Sequence, residues 1–139
     1  MPPGVQPAPV IVLTTAATED DAVALVRALL DRRLVACGTV LPGARSIYRW
    51  QGAVEDARET VVLLKTVRER VGALEAAFVE LHPYAVPELL ALPVEAGLAA
   101  YVGWLAAEVG PAGESASAPG PAGTGGAAPG ASDVPQASQ

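Results

Sequence analysis

Three side chains of types that commonly bind metal ions stand out in the sequence: Cys37, His82 and Glu88. Cysteine and histidine are soft and borderline donors that favour copper or zinc over magnesium or calcium, whereas glutamate is a hard oxygen donor. The chain has one cysteine and one histidine, so no C-x-x-C or H-x-x-x-H pair could build a site locally. A metal site would require these residues to converge in space, from one subunit or from two.

Each of the three residues also has a purely structural explanation. Cys37 fits a small buried side chain on a strand. His82 fits the carboxyl end of a helix, where a protonated imidazole is favourable, although Pro83 and Pro87 stiffen the segment after it and fix its position. Glu88 fits the exposed start of a strand, or an ion pair with an arginine. Both kinds of explanation remain open for each residue.

Other classes of function are disfavoured. One histidine and no nucleophile elbow cannot make a hydrolase triad, and no G-x-x-x-x-G-K-[ST] loop is present to hold a phosphate. A net charge of −6 without a basic run argues against nucleic-acid binding. No apolar stretch is long enough to span a membrane. We expect a non-enzymatic protein, and the single cysteine without a secretory signal predicts the cytoplasm.

Hydrophobic periodicity and turn residues predict seven elements in the order β-α-β-β-α-β-α. This is an α+β, ferredoxin-like split β-α-β arrangement with a long β2-β3 hairpin and an added C-terminal helix. Right-handed crossovers place both main helices on one face of a four-stranded antiparallel sheet. The predicted strands cover 10–13, the hairpin 34–67 and 89–94, and the predicted helices cover 18–33, 69–81 and 98–109.

The strands are apolar almost throughout, which is unusual for a sheet with one face in water. The third helix can cover only part of the second face, so we expect partner subunits to cover the rest. The folded domain is predicted at 10–109, after a flexible N-terminus at 1–9. Residues 110–139 contain 7 Gly, 5 Pro, 8 Ala and 4 Ser and are predicted to be a disordered tail.

The hairpin carries two breaks and two large aromatic residues. Pro42-Gly43 predicts a bulge or bend, and Gln51-Gly52 predicts the turn. Between them the alternation puts Tyr48 and Trp50 on one face. They could form a binding platform or pack in a subunit interface, and we favour packing in a trimer interface because large aromatic residues dominate interface energies.

Six segments of the chain share one pattern: Leu34–Cys37, Pro42-Gly43, Ser46–Gly52, Leu64–Thr66, His82–Glu88 and Ala91–Val94. Together they resemble the CutA family of divalent-cation tolerance proteins. The resemblance implies a ferredoxin-like subunit in a tight trimer, a link to tolerance of copper or another divalent metal, and a metal site at the subunit clefts. The sequence departs from the family pattern at Gly38 and Thr39, and the tail is not part of that pattern.

The resemblance also places Lys65, the only lysine, near the cleft that would hold His82. An ammonium group at the end of an apolar strand loses solvation unless it is paired. We therefore expect Lys65, His82, Tyr84 and Glu88 to line one polar pocket between subunits.

Two alternatives to metal binding remain open. Trimeric ferredoxin-like subunits also resemble nitrogen-regulatory signal proteins, which bind nucleotides in subunit clefts, and Arg45, Arg49 and Lys65 could contact phosphates in such a site. The other alternative is a structural trimer whose clefts hold no specific ligand.

Overall fold

The computed structural model describes residues 7–110 and shows four strands and three α-helices. Most of the predicted N-terminal segment 1–9 and of the predicted tail 110–139 therefore lies outside the described residues. The strands are β1 (Pro9–Ala16), β2 (Cys37–Trp50), β3 (Ala53–Val67) and β4 (Leu90–Pro93), and the helices are α1 (Glu19–Asp31), α2 (Val71–Leu81) and α3 (Ala99–Glu108).

The strands form one antiparallel sheet in the order β2-β3-β1-β4. This is the predicted ferredoxin-like α+β fold with a long hairpin and an added helix. β4 lies at the edge of the sheet, where Pro93 is tolerated because proline cannot donate a ladder hydrogen bond. The predicted helix 69–81 is divided into a 3-10 turn at Arg68–Arg70 and then α2.

Alternate residues of β1 and β3 pack against the helices and form what we call the covered face of the sheet. Val10, Val12, Val62 and Leu64 lie there in one buried cluster with side chains of α1 and α2. The strand register pairs Val12 with Leu64, so their side chains share a face. The hydrophobic core of the subunit therefore lies between this face and two helices. The helix residues in the cluster are Ala22, Leu25, Val26, Leu29, Leu74, Ala77 and Phe78.

The intervening residues form the opposite surface, which we call the open face. Its paired members are also mostly apolar: Leu13 lies opposite Leu63, and Leu90 and Leu92 of β4 are 56% and 49% exposed. Near one end of this face α3 packs a small second cluster around Leu105 and Val67. The third helix thus covers only part of the open face, as predicted.

Helix α1 begins after a capping threonine, Thr18. The backbone N–H of Asp21 donates to Oγ1 of Thr18 at 3.0 Å, which satisfies one of the free amides of the first turn. After its end, Arg32 forms a bidentate ion pair with Glu80 of α2, with N–O distances of 2.9 and 2.6 Å. This exposed pair links the two helices that cover the sheet.

The predicted bulge in the hairpin changes which side chains of β2 lie on the open face. Before Pro42-Gly43, odd-numbered residues such as Cys37 share that face with Lys65; after it, the register is shifted by one residue. Tyr48 then pairs with Glu55, an open-face position of β3. The φ angle of +85° at Gly43 explains why glycine occupies the bulge.

The same shift places Trp50, which pairs with Ala53, on the open face beside the hairpin turn. Gln51 and Gly52 both have positive φ, as a type I′ hairpin turn requires. The predicted turn and the predicted shared face of the two aromatic residues are therefore confirmed.

Candidate functional site

His82 is held at the end of α2 by hydrogen bonds to both ring nitrogens. Its side chain is buried, with the residue 6% exposed. Nδ1 accepts from the backbone N–H of Tyr84 at 3.1 Å, so the ring proton lies on Nε2, which donates to the carbonyl oxygen of Thr15 at 2.8 Å. Through these two hydrogen bonds, His82 connects the segment after α2 to strand β1.

Tyr84 continues this connection from the loop to strand β3. Its ring lies 4.9 Å from the His82 ring, and its hydroxyl donates to Oε2 of Glu59 at 2.5 Å. Burial, followed by the hydrogen bond to Glu59, raises the pKa of the Tyr84 hydroxyl. The hydroxyl therefore stays protonated and acts as a donor toward Glu59 at neutral pH.

A pocket of about 400 Å³ lies beside this connection, on the open-face side of the hairpin. Its size falls within the range of small-molecule sites, roughly 300–1,000 Å³. Its walls combine three aromatic rings, two carboxylates and small or apolar side chains. The lining residues are Thr15, Tyr48, Trp50, Glu59, Tyr84, Ala85, Val86 and Glu88.

The two carboxylates of the pocket differ in their partners. Glu59 is 9% exposed and accepts the Tyr84 hydroxyl through Oε2. Glu88 is half-buried, and within residues 7–110 no hydrogen bond or ion pair reaches its carboxylate. Burial and the charge of Glu59 raise the pKa of Glu88. Both effects disfavour an ionised Glu88 without a cationic partner.

Of the four residues predicted to share one pocket, Tyr84 and Glu88 line this one together with Tyr48 and Trp50, whereas Lys65 and His82 are not among its lining residues. His82 lies behind Tyr84 and supports it, and is not a lining residue of this pocket. The positions of Tyr48 and Trp50 in a trimer interface stay a prediction.

Lys65 lies elsewhere, on the open face of the sheet. Its Nζ donates to Oγ1 of Thr39 at 3.0 Å and lies 3.5 Å from Sγ of Cys37. Cys37 is a free, half-buried thiol. Two of the residues singled out from the sequence thus contact each other across β2 and β3, away from the residues that line the pocket.

The predicted metal ligands Cys37, His82 and Glu88 do not form a cluster within one subunit. Residues 7–110 contain no group of three or more His, Cys, Asp or Glu side chains that could hold a metal ion. Both ring nitrogens of His82 are used in hydrogen bonds, and the thiol of Cys37 lies beside an ammonium group. A metal site built on these residues needs donors from another subunit, and it stays a prediction.

Sequence reasoning missed two polar members of the pocket, Glu59 and Thr15. Glu59 lies two residues before the apolar run Val61–Leu64 of β3 and continues the alternation of the open-face positions 61, 63 and 65. That alternation could have identified Glu59, because a carboxylate on the same half-buried face as residues 61, 63 and 65 needs a polar partner. Thr15 lies near the end of the apolar strand β1, and its residue type alone gives no signal that it lines a pocket.

The described residues also bear on membrane insertion. Within residues 7–110, none of the helices has the length and apolar character needed to cross a bilayer.

Fold and site together define a ferredoxin-like α+β subunit with an aromatic and acidic pocket beside a long hairpin. The family model described as CutA1 divalent ion tolerance protein matches residues 10–108. The chain therefore belongs to the CutA1 divalent ion tolerance family, which confirms the resemblance found in the sequence.

Individual relatives agree with this assignment. The divalent-cation tolerance protein CutA of Thermus thermophilus is 41% identical over 100 residues, 72% of this chain and 97% of that protein. A solved structure of the divalent cation tolerance protein from Thermus thermophilus superposes with a TM-score of 0.71 and covers 73% of this chain and 99% of that one, at 40% identity. A structure described as the periplasmic divalent cation tolerance protein CutA of Archaeoglobus fulgidus has a TM-score of 0.67 at 28% identity, covering 70% of this chain and 94% of that one.

Proposed function

We propose that this chain is a non-enzymatic, homotrimeric protein of the cytoplasm that contributes to divalent-cation tolerance by binding copper or another divalent metal between subunits. The open face of the sheet is the observation that carries the proposal. The family assignment supports the link to divalent cations.

An apolar face of this kind favours assembly. On the edge strand β4, Leu90 and Leu92 are about half exposed, and Leu41 of β2 is 47% exposed on the same face. Burying such side chains stabilises an association by about 25 cal/mol per Å² of apolar surface. A subunit of about a hundred ordered residues has limited capacity to bury them internally. A second and third copy of the chain are the occupants we propose.

The proposed metal site would lie where subunits meet, because residues 7–110 of one chain contain no group of three or more side chains that could hold a metal ion. Of the three predicted ligands, Glu88 has a carboxylate that no described residue engages. Cys37 would have to exchange its contact with Lys65 for a metal, which its softness toward copper could favour. His82 would have to give up a hydrogen bond from each ring nitrogen that binds metal. The proposal therefore rests most on Glu88, then on Cys37.

The nucleotide-binding alternative finds little support in the pocket. Its charged lining residues are Glu59 and Glu88, which would repel phosphates. Arg45 is paired with Asp56 at 2.7 and 2.8 Å on the hairpin, and Lys65 is engaged on the open face. We therefore favour cation binding over nucleotide binding.

Sedimentation equilibrium and copper titration test the two halves of this proposal separately. We expect a trimer at micromolar concentration, and Leu92→Asp should dissociate it, because a charge replaces an apolar contact. Val79→Asp on exposed α2 is the matched control and should remain assembled. A wild-type monomer would contradict the assembly.

For the metal, calorimetric titration of the trimer with Cu²⁺ should show saturable binding that Glu88→Gln and Cys37→Ser each weaken. Glu75→Gln removes an equal charge from an exposed site on α2 and should leave binding unchanged. Equal binding by all four proteins would refute the proposed ligands while leaving the trimer intact.

A further inference from the structure

We propose that the pocket beside the hairpin binds a small organic ammonium ion, with its alkyl body against Tyr48 and Trp50 and its charged nitrogen between Glu59 and Glu88. This inference names a second kind of ligand and shares Glu88 with the proposed metal site. All the residues that line the pocket belong to one chain. The inference follows from the shape, the walls and the free acceptor atoms of that pocket.

The aromatic walls point to an organic ligand. Tyr48 and Trp50 follow each other on the same face of β2 and line the pocket together with the ring of Tyr84. Rings arranged around a volume of about 400 Å³ offer apolar contact to a hydrocarbon body. They also attract a cation at their faces. A divalent metal ion that keeps its water shell gains little from such walls, because it takes oxygen, nitrogen or sulfur ligands.

The charges of the lining residues set the sign of the ligand. The pocket has two carboxylates and, among its described lining residues, no lysine, arginine or histidine. An anionic ligand is therefore excluded by repulsion, and a neutral ligand would leave both carboxylates without compensation. A cation satisfies them.

The free acceptor atoms favour a cation that carries N–H groups. The one hydrogen bond to the Glu59 side chain from residues 7–110 is that of Tyr84, and it uses Oε2, which leaves Oε1 available. The Glu88 carboxylate has no hydrogen-bond partner in the same residues. A primary ammonium group donates three hydrogen bonds and can bond to both carboxylates, and charge-assisted bonds of this type are the strong ones.

The Tyr84–His82 connection would keep this site in shape before the ligand arrives. His82 fixes the backbone at Tyr84, and Tyr84 orients the carboxylate of Glu59. A site with pre-oriented acceptors loses less conformational freedom on binding. His82 and Tyr84 are therefore positioning residues, whereas Glu59 and Glu88 would contact the ammonium group.

The experiment is a nuclear magnetic resonance titration of the full chain, labelled with ¹⁵N, with n-butylammonium chloride at constant ionic strength. The chain has two tryptophans, so the indole N–H of Trp50 reports on the pocket, and that of Trp104, which lies against Tyr101 on α3, is an internal control. We expect the Trp50 signal alone to shift and to saturate, with Kd on the order of millimolar for so small a probe.

Neutral n-butanol has the same number of heavy atoms and should bind about tenfold more weakly, because it lacks the charge. Glu88→Gln should weaken n-butylammonium binding by about tenfold, and Glu75→Gln should leave it unchanged.

Tyr48→Leu should weaken n-butylammonium binding, whereas Tyr48→Phe should retain most of it, because phenylalanine keeps the ring face. Tyr48 is 43% exposed in the single chain, so neither change should affect its folding, and sedimentation of both variants checks that assembly is unchanged.

Three outcomes would overturn the proposal. Equal binding of n-butanol and n-butylammonium would make the pocket merely apolar. Saturation of the Trp50 shift by Zn²⁺ or Mg²⁺ alone, with no response to n-butylammonium, would make it a metal site. No Trp50 response to any probe would show that the pocket is closed in the assembled protein. Sedimentation of the same samples reports the assembly independently, so failure of the trimer and failure of the ammonium site are distinguishable.

Discussion

The two faces of the sheet differ in how far their apolar side chains are buried within one chain. Leu64 on the covered face is fully buried within the subunit, whereas its neighbour in sequence, Leu63, lies on the open face and is only half-buried. The covered face is completed by α1 and α2, and the open face is covered only in part by α3. One face therefore stabilises the fold, whereas the other lies beside the pocket and is the face that we propose for association.

The largest expected effect is on the free energy of unfolding, and it should differ between alanine substitutions of these two leucines. Leu64→Ala leaves a cavity in the covered core and should lower the free energy of unfolding by about 3 kcal/mol. Leu63→Ala should cost less than about 1.5 kcal/mol in dilute protein, because solvent already reaches that side chain. Urea unfolding followed by circular dichroism measures both.

Protein concentration sharpens this test. The loss for Leu64→Ala should be the same at all concentrations, whereas the loss for Leu63→Ala should grow as assembly sets in. Equal losses in dilute protein would mean that the two faces do not differ as described.

Loss of the His82 hydrogen bonds, which connect the segment after α2 to β1, should give the next largest decrease in stability. His82→Ala removes a buried donor to Thr15 and an acceptor for Tyr84, and should lower the free energy of unfolding by about 2 kcal/mol. Val79→Ala, on the exposed side of the same helix, should change it by less than about 0.5 kcal/mol. Thermal unfolding of the two variants would contradict the assigned hydrogen bonds if their midpoints fell together.

A smaller effect is expected for Tyr84→Phe, which removes the hydroxyl that donates to Glu59 and should cost about 1 kcal/mol at pH 7. Because the folded-state pKa of Tyr84 is raised above its ordinary value of 10.0, the unfolded chain releases this proton first. Wild-type stability should therefore fall as the pH rises above about 10.

Tyr84→Phe should lose this part of the alkaline decline, since phenylalanine does not titrate. Tyr101→Phe on α3 should retain it. Unfolding curves collected between pH 8 and pH 11 for the three proteins compare them directly, and an undiminished decline in Tyr84→Phe would place the titrating group elsewhere.

The smallest effect belongs to Glu88, whose raised pKa means that the folded chain binds its proton more tightly than the unfolded chain does. Its contribution to stability therefore falls as the pH rises from the ordinary value of 4.5 through the raised pKa. Glu88→Gln should lose that part of the pH dependence and should be at least as stable as the wild type at pH 7. A less stable Glu88→Gln at pH 7 would show that the carboxylate has a favourable partner in the free protein.

Much of this architecture was predictable from local patterns. The spacing of Leu25 and Leu29 predicted a helix, and the cap at Thr18 was predictable because a threonine hydroxyl at that place satisfies a free amide. Pro42-Gly43 and Gln51-Gly52 predicted the breaks of the hairpin, since glycine tolerates positive φ. These features depend on residues close together in the sequence.

The composition of the pocket was less predictable. Tyr84 and Glu88 were identified, but their association with Tyr48 and Trp50 depends on a one-residue register shift in β2, and a shift of one residue moves a side chain to the other face. The role of His82 was equally hidden, because its partners are backbone groups of Thr15 and Tyr84. Backbone partners have no signature in residue type.

The sequence by itself determined the element order, the family and the apolar excess of the strands, because periodicity, turn residues and motif segments are local properties of the chain. Only the tertiary structure decided that Glu59 contacts Tyr84, that Lys65 contacts Cys37, and that Cys37, His82 and Glu88 do not form a three-residue metal cluster within residues 7–110. The first two contacts join residues 25 and 28 positions apart, and the strand register and the packing of the 82–88 segment set them.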